Sequence, residues 1–285
     1  MVATRATHYN IHGPYDPIAT YDLGIVIVPK NNPQVDMDRI RAVCDKVTIM
    51  QEGPSTFWQD YSVPNQIHFF NTLTEADFLL CHNKQDQLYY NGLTGKDTFV
   101  MKSLMIPDAI MTTSPREPTN SVMLGGNWTS WYSGVDSYIL GQVFTPEYEL
   151  YAPSMGRKKE EENEIEDVNY FDYMMWQEWI DSIKNMKVGI HMMRIFAAGT
   201  FALNCSYWGI PCIGYKGLDT QETCHPLTSV DLGDMEKARH IAEKLKNDKG
   251  FYDLCSMATL KRYEKHYSEA AWLKDWKSIE EYTNG

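Results

Sequence analysis

The segment VGIHMMRIFAAGTFALNCSYWGIPCIGY, residues 188–215, carries the clearest structural signal in the chain. An apolar run, Val188–Met193, leads into the small-residue turn Ala197–Thr200 and a helical stretch, Phe201–Trp208. Gly209–Pro211 then opens a second apolar strand, Cys212–Tyr215. Strand, tight turn, helix and strand in this order form the repeating unit of a parallel α/β sheet.

The turn before the helix has the composition of an anion-binding site. Gly199 allows the backbone to approach a ligand closely, and Thr200 can cap the helix or hydrogen-bond an oxyanion. The first N–H groups of the helix present the positive end of its dipole. Arg194, a few residues upstream, can add a fixed positive charge to the same pocket.

This segment resembles the donor-binding half of glycosyltransferases with the GT-B fold, in which a loop and a helix hold the diphosphate of a nucleotide sugar. The tail LTSVDLGDMEKARHIAEKLKNDKGFYDLCSMATLKRYEKHYS, residues 227–268, is similar to the closing section of that family. The resemblance extends over 120–285 and, more weakly, over 20–110. It is to the retaining, family-4-like branch, and to glycosyltransferases carried by large bacteriophages.

The resemblance implies an α/β protein with two facing Rossmann-like domains and a cleft between them. The expected division is an acceptor-side domain over 1–112, a nucleotide-sugar domain over 113–265 and a final helix over 266–285 that crosses back to the first domain. The first twenty residues hold only HYNIHGPYDP before a clear strand, where the family has a strand and a glycine-rich loop. Either the N-terminal domain is shortened, or HYNIHGP supplies a reduced version of that loop.

Composition bounds the class of protein. The 285 residues allow one large domain or two modest ones, and 43% hydrophobic with 22% charged residues is ordinary for a soluble globular chain. No apolar run reaches membrane-spanning length, and the N-terminus lacks a secretory signal. The six cysteines are scattered without a C-x-x-C pair, which favours reduced thiols in the cytoplasm. The net charge of −12 argues against a broad nucleic-acid surface.

Alternating apolar and amphipathic stretches predict the remaining elements. Predicted strands lie at Tyr21–Val28, Val47–Pro54, Ala76–Asn83, Asp97–Asp108, Ser121–Ser130 and Tyr148–Pro153, several of them running into loops. Predicted helices lie at Asp36–Val47, Gln66–Glu75, Lys84–Leu93 (ended by Gly92), Ser133–Phe144 and Asp172–Met186. The charged stretch Arg157–Asp167 is read as a solvated loop or helix face.

Gly125-Gly126-Asn127 follows a predicted strand and precedes a predicted helix. Its N–H groups can line a phosphate or donor-sugar site, although an ordinary βα turn explains the same residues. Because related enzymes place a basic residue after this loop and none follows here, we assign the role to Arg194. The alternative for Arg194 is a surface or interdomain salt bridge.

Asn204 lies one helical turn after Thr200 and on the same face. In retaining relatives a pair of glutamates eight residues apart brackets this helix, and here those positions hold Phe196 and Asn204. The glutamate signature is absent, and Asn204 is expected to hydrogen-bond a donor hydroxyl or the ribose.

Polar residues at strand ends of the first half are the acceptor-side candidates. Glu52 is expected to act as a base or to orient the acceptor hydroxyl, with Gln51 beside it; a plain loop carboxylate is the alternative. His82 ends the next strand and is either a comparable candidate or structural. His12, in HYNIHGP, is a further acceptor-binding candidate.

Several chemistries are excluded by missing motifs. The sequence has no H-E-x-x-H, no zinc spacing and no D-x-D that would hold Mg²⁺ against a diphosphate, so no metal cofactor is expected. A phosphate-binding G-x-x-x-x-G-K-[ST] and a G-x-S-x-G elbow are also missing. The resemblance implies a glycosyltransferase that uses a nucleotide sugar, of UDP type, on a glycan or on hydroxymethylated phage DNA. The alternative is a non-catalytic nucleotide-sugar-binding or subunit protein.

Overall fold

The computed structural model describes residues 7–10, 19–110, 114–129, 131–153 and 160–284. Two compact units divide the chain, one drawn from 1–102 with 272–285 and the other from 103–271. These divisions differ from the boundaries expected from the sequence, after residues 112 and 265. Each unit contains one parallel sheet.

The elements within these residues are as follows. The strands are Tyr21–Val28 (β1), Cys44–Gln51 (β2), Phe78–Cys81 (β3), Thr98–Val100 (β4), Ser121–Leu124 (β5), Glu149–Pro153 (β6), Val168–Phe171 (β7), Val188–His191 (β8), Cys212–Tyr215 (β9) and Ser229–Val230 (β10). The α-helices are Met37–Arg41 (α1), Val63–Glu75 (α2), Lys84–Thr94 (α3), Gly134–Gly141 (α4), Trp176–Ile183 (α5), Thr200–Tyr207 (α6), Asp219–Cys224 (α7), Met235–Asn247 (α8), Lys249–Tyr267 (α9) and Glu269–Asn284 (α10). Short 3-10 helices cover Ser55–Asp60, Pro107–Ala109 and Glu160–Glu164.

The first sheet runs in the order β1-β2-β3-β4, with all pairs parallel. One face is covered by α2 and α3, whose Phe69, Leu73 and Tyr90 join the buried residues of the strands. The other face is covered by α10, whose Trp276 and Ile279 pack on Met50, Phe78 and Leu80. The C-terminal helix thus completes the core of the unit that contains the N-terminal strands.

Two predictions for the first unit are corrected. The helix predicted over Asp36–Val47 ends early, because the chain from Cys44 onward pairs in parallel with β1 and forms β2. Asp36 caps the short helix that remains by accepting a hydrogen bond from Arg39 N. The helix over Lys84–Thr94 passes through Gly92 and ends at Gly95, whose φ of +69° is the usual left-handed stop. The strand Tyr21–Val28 is confirmed.

The second sheet runs in the order β10-β9-β8-β5-β6-β7, again with all pairs parallel. Alternate residues of β5 enter two cores: Val122 and Leu124 face one, and Met123 faces the other. Helices α4, α8 and α9 supply the first core, and α5 and α6 supply the second. Helices on both faces of a parallel sheet are the doubly wound arrangement. The α/β fold class is confirmed.

The sequence missed β7, and it overestimated α5. Val168–Phe171 pairs with β6, beginning with Leu150 opposite Val168. The polar Asn169 and the preceding acidic run hide this edge strand from an apolar pattern. The helix predicted over Asp172–Met186 occupies only Trp176–Ile183. The strand Cys212–Tyr215 is confirmed as predicted.

Candidate functional site

The central strands β5 and β8 mark the point where the strand order of the second sheet reverses. From β5 the chain moves outward through β6 and β7, then returns beside β5 as β8 and continues through β9 and β10 on the other side. Leu124 at the end of β5 pairs with Ile190 near the end of β8, so these carboxyl ends lie side by side. Ligands of parallel α/β sheets bind outside such a reversal. The candidate site is therefore built from the residues that follow these two strands.

Two glycines make a close backbone turn directly after β5. Gly125 N donates to Ile190 O (2.6 Å), which ties the turn to β8. Gly126 has a φ of +87°, and a Cβ there would lie 2.9 Å from Tyr132 O. The carbonyl of Asn127 closes the turn by accepting from Thr129 N (2.8 Å). This packing alone requires glycine, so it fits the ordinary βα turn as well as the phosphate loop.

The N-terminus of α6 is the second backbone element of the site. Gly199 is its N-cap, with a φ of +64°, and Thr200 is the first helical residue. The sequence suggested that Thr200 could cap the helix, but the cap is Gly199. The exposed side chain of Thr200 therefore remains available to a ligand. Thr220 Oγ1 donates to Gly199 O (2.9 Å) and fixes the turn. The first N–H groups of the eight-residue helix have no partner within the helix, and such groups bind anions.

His191, the last residue of β8, lies against both backbone elements and was not singled out from the sequence. A Cβ on Gly125 would lie 2.9 Å from Cγ and Cδ2 of this ring, and the ring centre lies 5.0 Å from that of Phe201 in the first turn of α6. Burial lowers the pKa of His191 to about 4, so the imidazole is neutral near pH 7. The signal that could have found it is its position at a strand end beside the predicted turn.

Arg194 reaches across to the first turn of α4 and pairs with Asp136. Its Nη2 and Nε lie 2.8 and 3.2 Å from Asp136 Oδ2, and these hydrogen bonds raise the pKa of the guanidinium. Arg194 N also donates to Trp131 O (3.1 Å), which joins the segment after β8 to the segment after β5. Tyr215 OH, at the end of β9, lies 3.5 Å from the same Asp136 oxygen. Arg194 therefore forms a salt bridge, which is the alternative that the sequence left open. Both partners belong to the second unit.

Asn204 is buried and its side chain is engaged inside the domain. With the amide in its favourable orientation, Oδ1 accepts from Trp179 Nε1 (2.9 Å) and Nδ2 donates to Thr200 O (3.1 Å). A hydrogen bond from Asn204 to a donor hydroxyl or ribose stays a prediction, and it would require the amide to leave these partners. In that orientation, the two bonds hold the N-terminal turn of α6 against α5.

The acceptor-side candidates of the first unit gather at the carboxyl ends of β2 and β3. Gln51 is buried, and its Oε1 accepts from Tyr90 OH (2.9 Å), so it serves the interior. Glu52 is exposed beside it. Burial lowers the pKa of His82, and the Gln51 backbone and the Glu52 charge partly offset this effect. Glu52 and His82 are therefore neighbours at one sheet edge, as two strand ends of a parallel sheet should be.

The remaining residues and properties considered from the sequence are His12, the basic run, the segment after β9, metal binding and membrane spans. His12 and the basic run Arg157-Lys158-Lys159 lie outside the described residues. Asp219–Cys224, which follows β9, forms α7, where Gln221 is buried and donates to Cys212 O (2.8 Å), so this helix packs on β9. Across the described ranges, no group of three or more His, Cys, Asp or Glu side chains could hold a metal ion. In the same part of the chain, no helix is long and apolar enough to span a bilayer.

Solved structures that align with the chain include glycosyltransferases of the GT-B fold. Sucrose-phosphate synthase from Thermosynechococcus elongatus aligns with a TM-score of 0.69 at 12% identity, over 90% of this chain and 73% of that one. HepE from Anabaena, solved in complex with UDP-glucose, aligns at 0.64 and 11%, over 86% and 74%. TarM from S. aureus, solved as a variant with fondaparinux, α-GlcNAc-glycerol and UDP, aligns at 0.64 and 7%, over 90% and 55%.

These alignments show the fold alone. The protein has the GT-B fold, as the sequence resemblance implied. The chain spans 55% of the length of the TarM structure and about three quarters of the other two. No protein-family profile and no curated protein sequence matches the chain.

Proposed function

We propose that the protein is a glycosyltransferase that binds a nucleotide sugar at the carboxyl edge of the second sheet. The observation that carries this proposal is that a glycine turn follows β5, while Arg194 and the N-terminus of α6, which no side chain caps, follow the neighbouring strand β8. All three are groups that bind phosphate. Structures of the same fold hold UDP or UDP-glucose, which supports a donor of UDP type.

The chemistry follows from the charge that develops as the glycosidic bond breaks. The leaving diphosphate gains negative charge, and the N–H groups at the start of α6 together with Arg194 stabilise it. These groups take the place of a divalent cation, so we propose transfer without a metal; full activity in EDTA tests this. Glu52, with His82 beside it, orients or deprotonates the acceptor hydroxyl.

The acceptor and the stereochemistry belong to the same proposal. We propose retention of configuration at the sugar and an acceptor that is a glycan or a hydroxymethylated base of phage DNA, in the cytoplasm. The net charge of −12 opposes DNA binding at long range. Transfer of labelled sugar to modified duplex at low salt, with plain duplex and glycans as parallel acceptors, separates the two.

A thermal-shift panel of nucleoside diphosphates and their sugar conjugates tests donor binding. We expect one base series to raise the melting temperature, and we expect Arg194→Ala and Thr200→Val to reduce the shift. Lys249→Ala is the matched control, because it also removes an exposed cation that is paired with an aspartate, Asp253. That pair interacts with Lys187, which precedes β8, so it lies near the amino end of the strand and not at the carboxyl end where the candidate site is. No shift with any nucleotide would contradict the proposal.

Release of nucleoside diphosphate from the stabilising conjugate then distinguishes the enzyme from a binding protein. The pairing of Arg194 with Asp136 and the missing glutamate pair favour the second candidate, a non-catalytic scaffold that binds the nucleotide sugar. Binding without release, across the acceptors named above, would support that candidate and overturn the enzyme proposal.

A further inference from the structure

Among the described residues of the second unit, His191 and His225 are buried histidines, and they differ in how their ring nitrogens are satisfied. His225 Nε2 lies 2.8 Å from Ala202 O. His225 Nδ1 accepts from Cys212 N (3.3 Å) and lies 3.1 Å from Thr259 Oγ1. Both ring nitrogens of His225 are therefore used to connect α6, β9 and α9.

His191 is also buried, with 6% of its surface exposed against 1% for His225, yet its Nδ1 has no hydrogen-bond partner among the residues that the structure describes. Native proteins satisfy the great majority of their buried polar side-chain atoms. An unsatisfied buried nitrogen destabilises the fold by about 1–3 kcal/mol. Departures from this rule are expected at functional or strained sites.

The position of His191 indicates which kind of ligand its Nδ1 could bind. Its ring lies under the Gly125 turn and against Phe201 of α6, between the two backbone segments that bind phosphate in the proposed function. The Cδ2 edge faces Gly125. A half-turn about the Cβ–Cγ bond exchanges Cδ2 and Nδ1, and this torsion of histidine is broadly two-fold. After that rotation Nδ1 lies beside the glycine turn.

We propose that His191 contacts the diphosphate of the bound nucleotide directly, donating a hydrogen bond from Nδ1–H to a phosphate oxygen. The inference rests on the proposed function, because it places its ligand in that pocket. Phosphate oxygens only accept hydrogen bonds, so the bound ring must carry its proton on Nδ1. The site would then contain one neutral donor in addition to Arg194 and the backbone N–H groups.

The experiment compares His191→Phe, His191→Asn and wild type by calorimetric titration with UDP and, separately, with inorganic pyrophosphate. Phenylalanine keeps the ring and removes the donor, so we expect UDP affinity to fall at least 10-fold. Asparagine keeps a donor near the Nδ1 position and should recover part of the loss. Lys249→Ala should bind as wild type does.

The melting temperature of the ligand-free protein distinguishes a binding role of His191 from a structural one. Removing an unpaired buried nitrogen should leave the ligand-free His191→Phe protein as stable as wild type or more so, whereas His225→Phe should lower the melting temperature. A similar loss in both variants would make His191 structural and overturn the inference.

The binding outcomes separate this inference from the proposed function. If wild type binds UDP and His191→Phe binds it equally well, the inference fails and the donor pocket stands. If only pyrophosphate binds, and binding depends on His191, the inference stands as an anion contact and the nucleotide proposal fails. If wild type binds neither, both fail.

Discussion

Arg194 directs two nitrogens at one oxygen of Asp136, with Nη2 2.8 Å and Nε 3.2 Å from Oδ2. The pair joins the segment that follows β8 to the first turn of α4, which follows the glycine turn after β5. Asp136 thus fixes the position of the guanidinium next to the candidate phosphate site, and it also offsets part of the positive charge that a diphosphate would meet.

Replacing Arg194 tests its role in turnover. We expect Arg194→Ala to lower the rate of nucleotide-sugar cleavage by about 10- to 1000-fold, because a charged donor to the leaving group is lost. Thermal stability should change little, since the Arg194 side chain is 54% exposed. Steady-state kinetics with Lys249→Ala as control provides the measurement, and an unchanged rate would rule out the phosphate role.

Stability should fall as the pH is lowered from 7.5 to 5. The folded-state pKa values of His191 and His225 are lowered to about 4 by burial, against 6.5 in the unfolded chain. Between these values the unfolded state binds more protons, so each histidine costs about 2 kcal/mol at pH 5 (about 1.5 units × 1.36). The loss begins near pH 6.5 and ends near pH 4.

Urea unfolding at the two pH values measures this effect. In His225→Phe the pH-dependent loss should shrink by about 2 kcal/mol, because one of the two histidines no longer titrates. The same pH-dependent loss in wild type and His225→Phe would show that this histidine is not neutral in the fold.

Gly199→Ala should destabilise the protein by more than 2 kcal/mol, as an order of magnitude. Its φ is +64°, and a Cβ would lie 2.0 Å from Thr220 Oγ1. Gly233→Ala is the matched control, since its φ is +84° but nothing lies within 4 Å of its Cβ position. Chemical denaturation should give only the backbone-strain cost, about 1 kcal/mol, for the control. Equal losses in the two variants would refute the steric argument.

Glu52 and Gln51 are adjacent in sequence but should respond oppositely to substitution. Glu52 is exposed, so Glu52→Gln should leave the melting temperature unchanged while reducing transfer to the acceptor. Gln51 is buried with Tyr90 OH on its amide, so Gln51→Ala should destabilise the first unit by about 1–3 kcal/mol. Normal transfer to the acceptor by Glu52→Gln would support the alternative that Glu52 is a loop carboxylate with no part in the reaction.

Local sequence patterns predicted individual strands of both sheets. Tyr21–Val28 and Cys212–Tyr215 are largely apolar runs, and both form parallel strands. Cys212–Tyr215 is buried throughout, whereas the edge strand β1 buries only Val26 and Val28. Asp36–Val47 also fits a helical period, yet Cys44 onward became β2 because pairing with β1 outweighed local propensity. An apolar pattern cannot report such pairing, since the partner is distant in sequence.

The sequence by itself determined the α/β class, the glycine turn after β5 and the N-terminus of α6, because glycine position and apolar period are local properties. Only the tertiary structure decided the strand order, and with it the reversal that places β5 beside β8. That order brings His191 against Gly125 and aligns Asp136 with Arg194, residues separated by dozens of positions. Long-range contacts of this kind arise from packing of the whole sheet, and no short stretch of sequence encodes them.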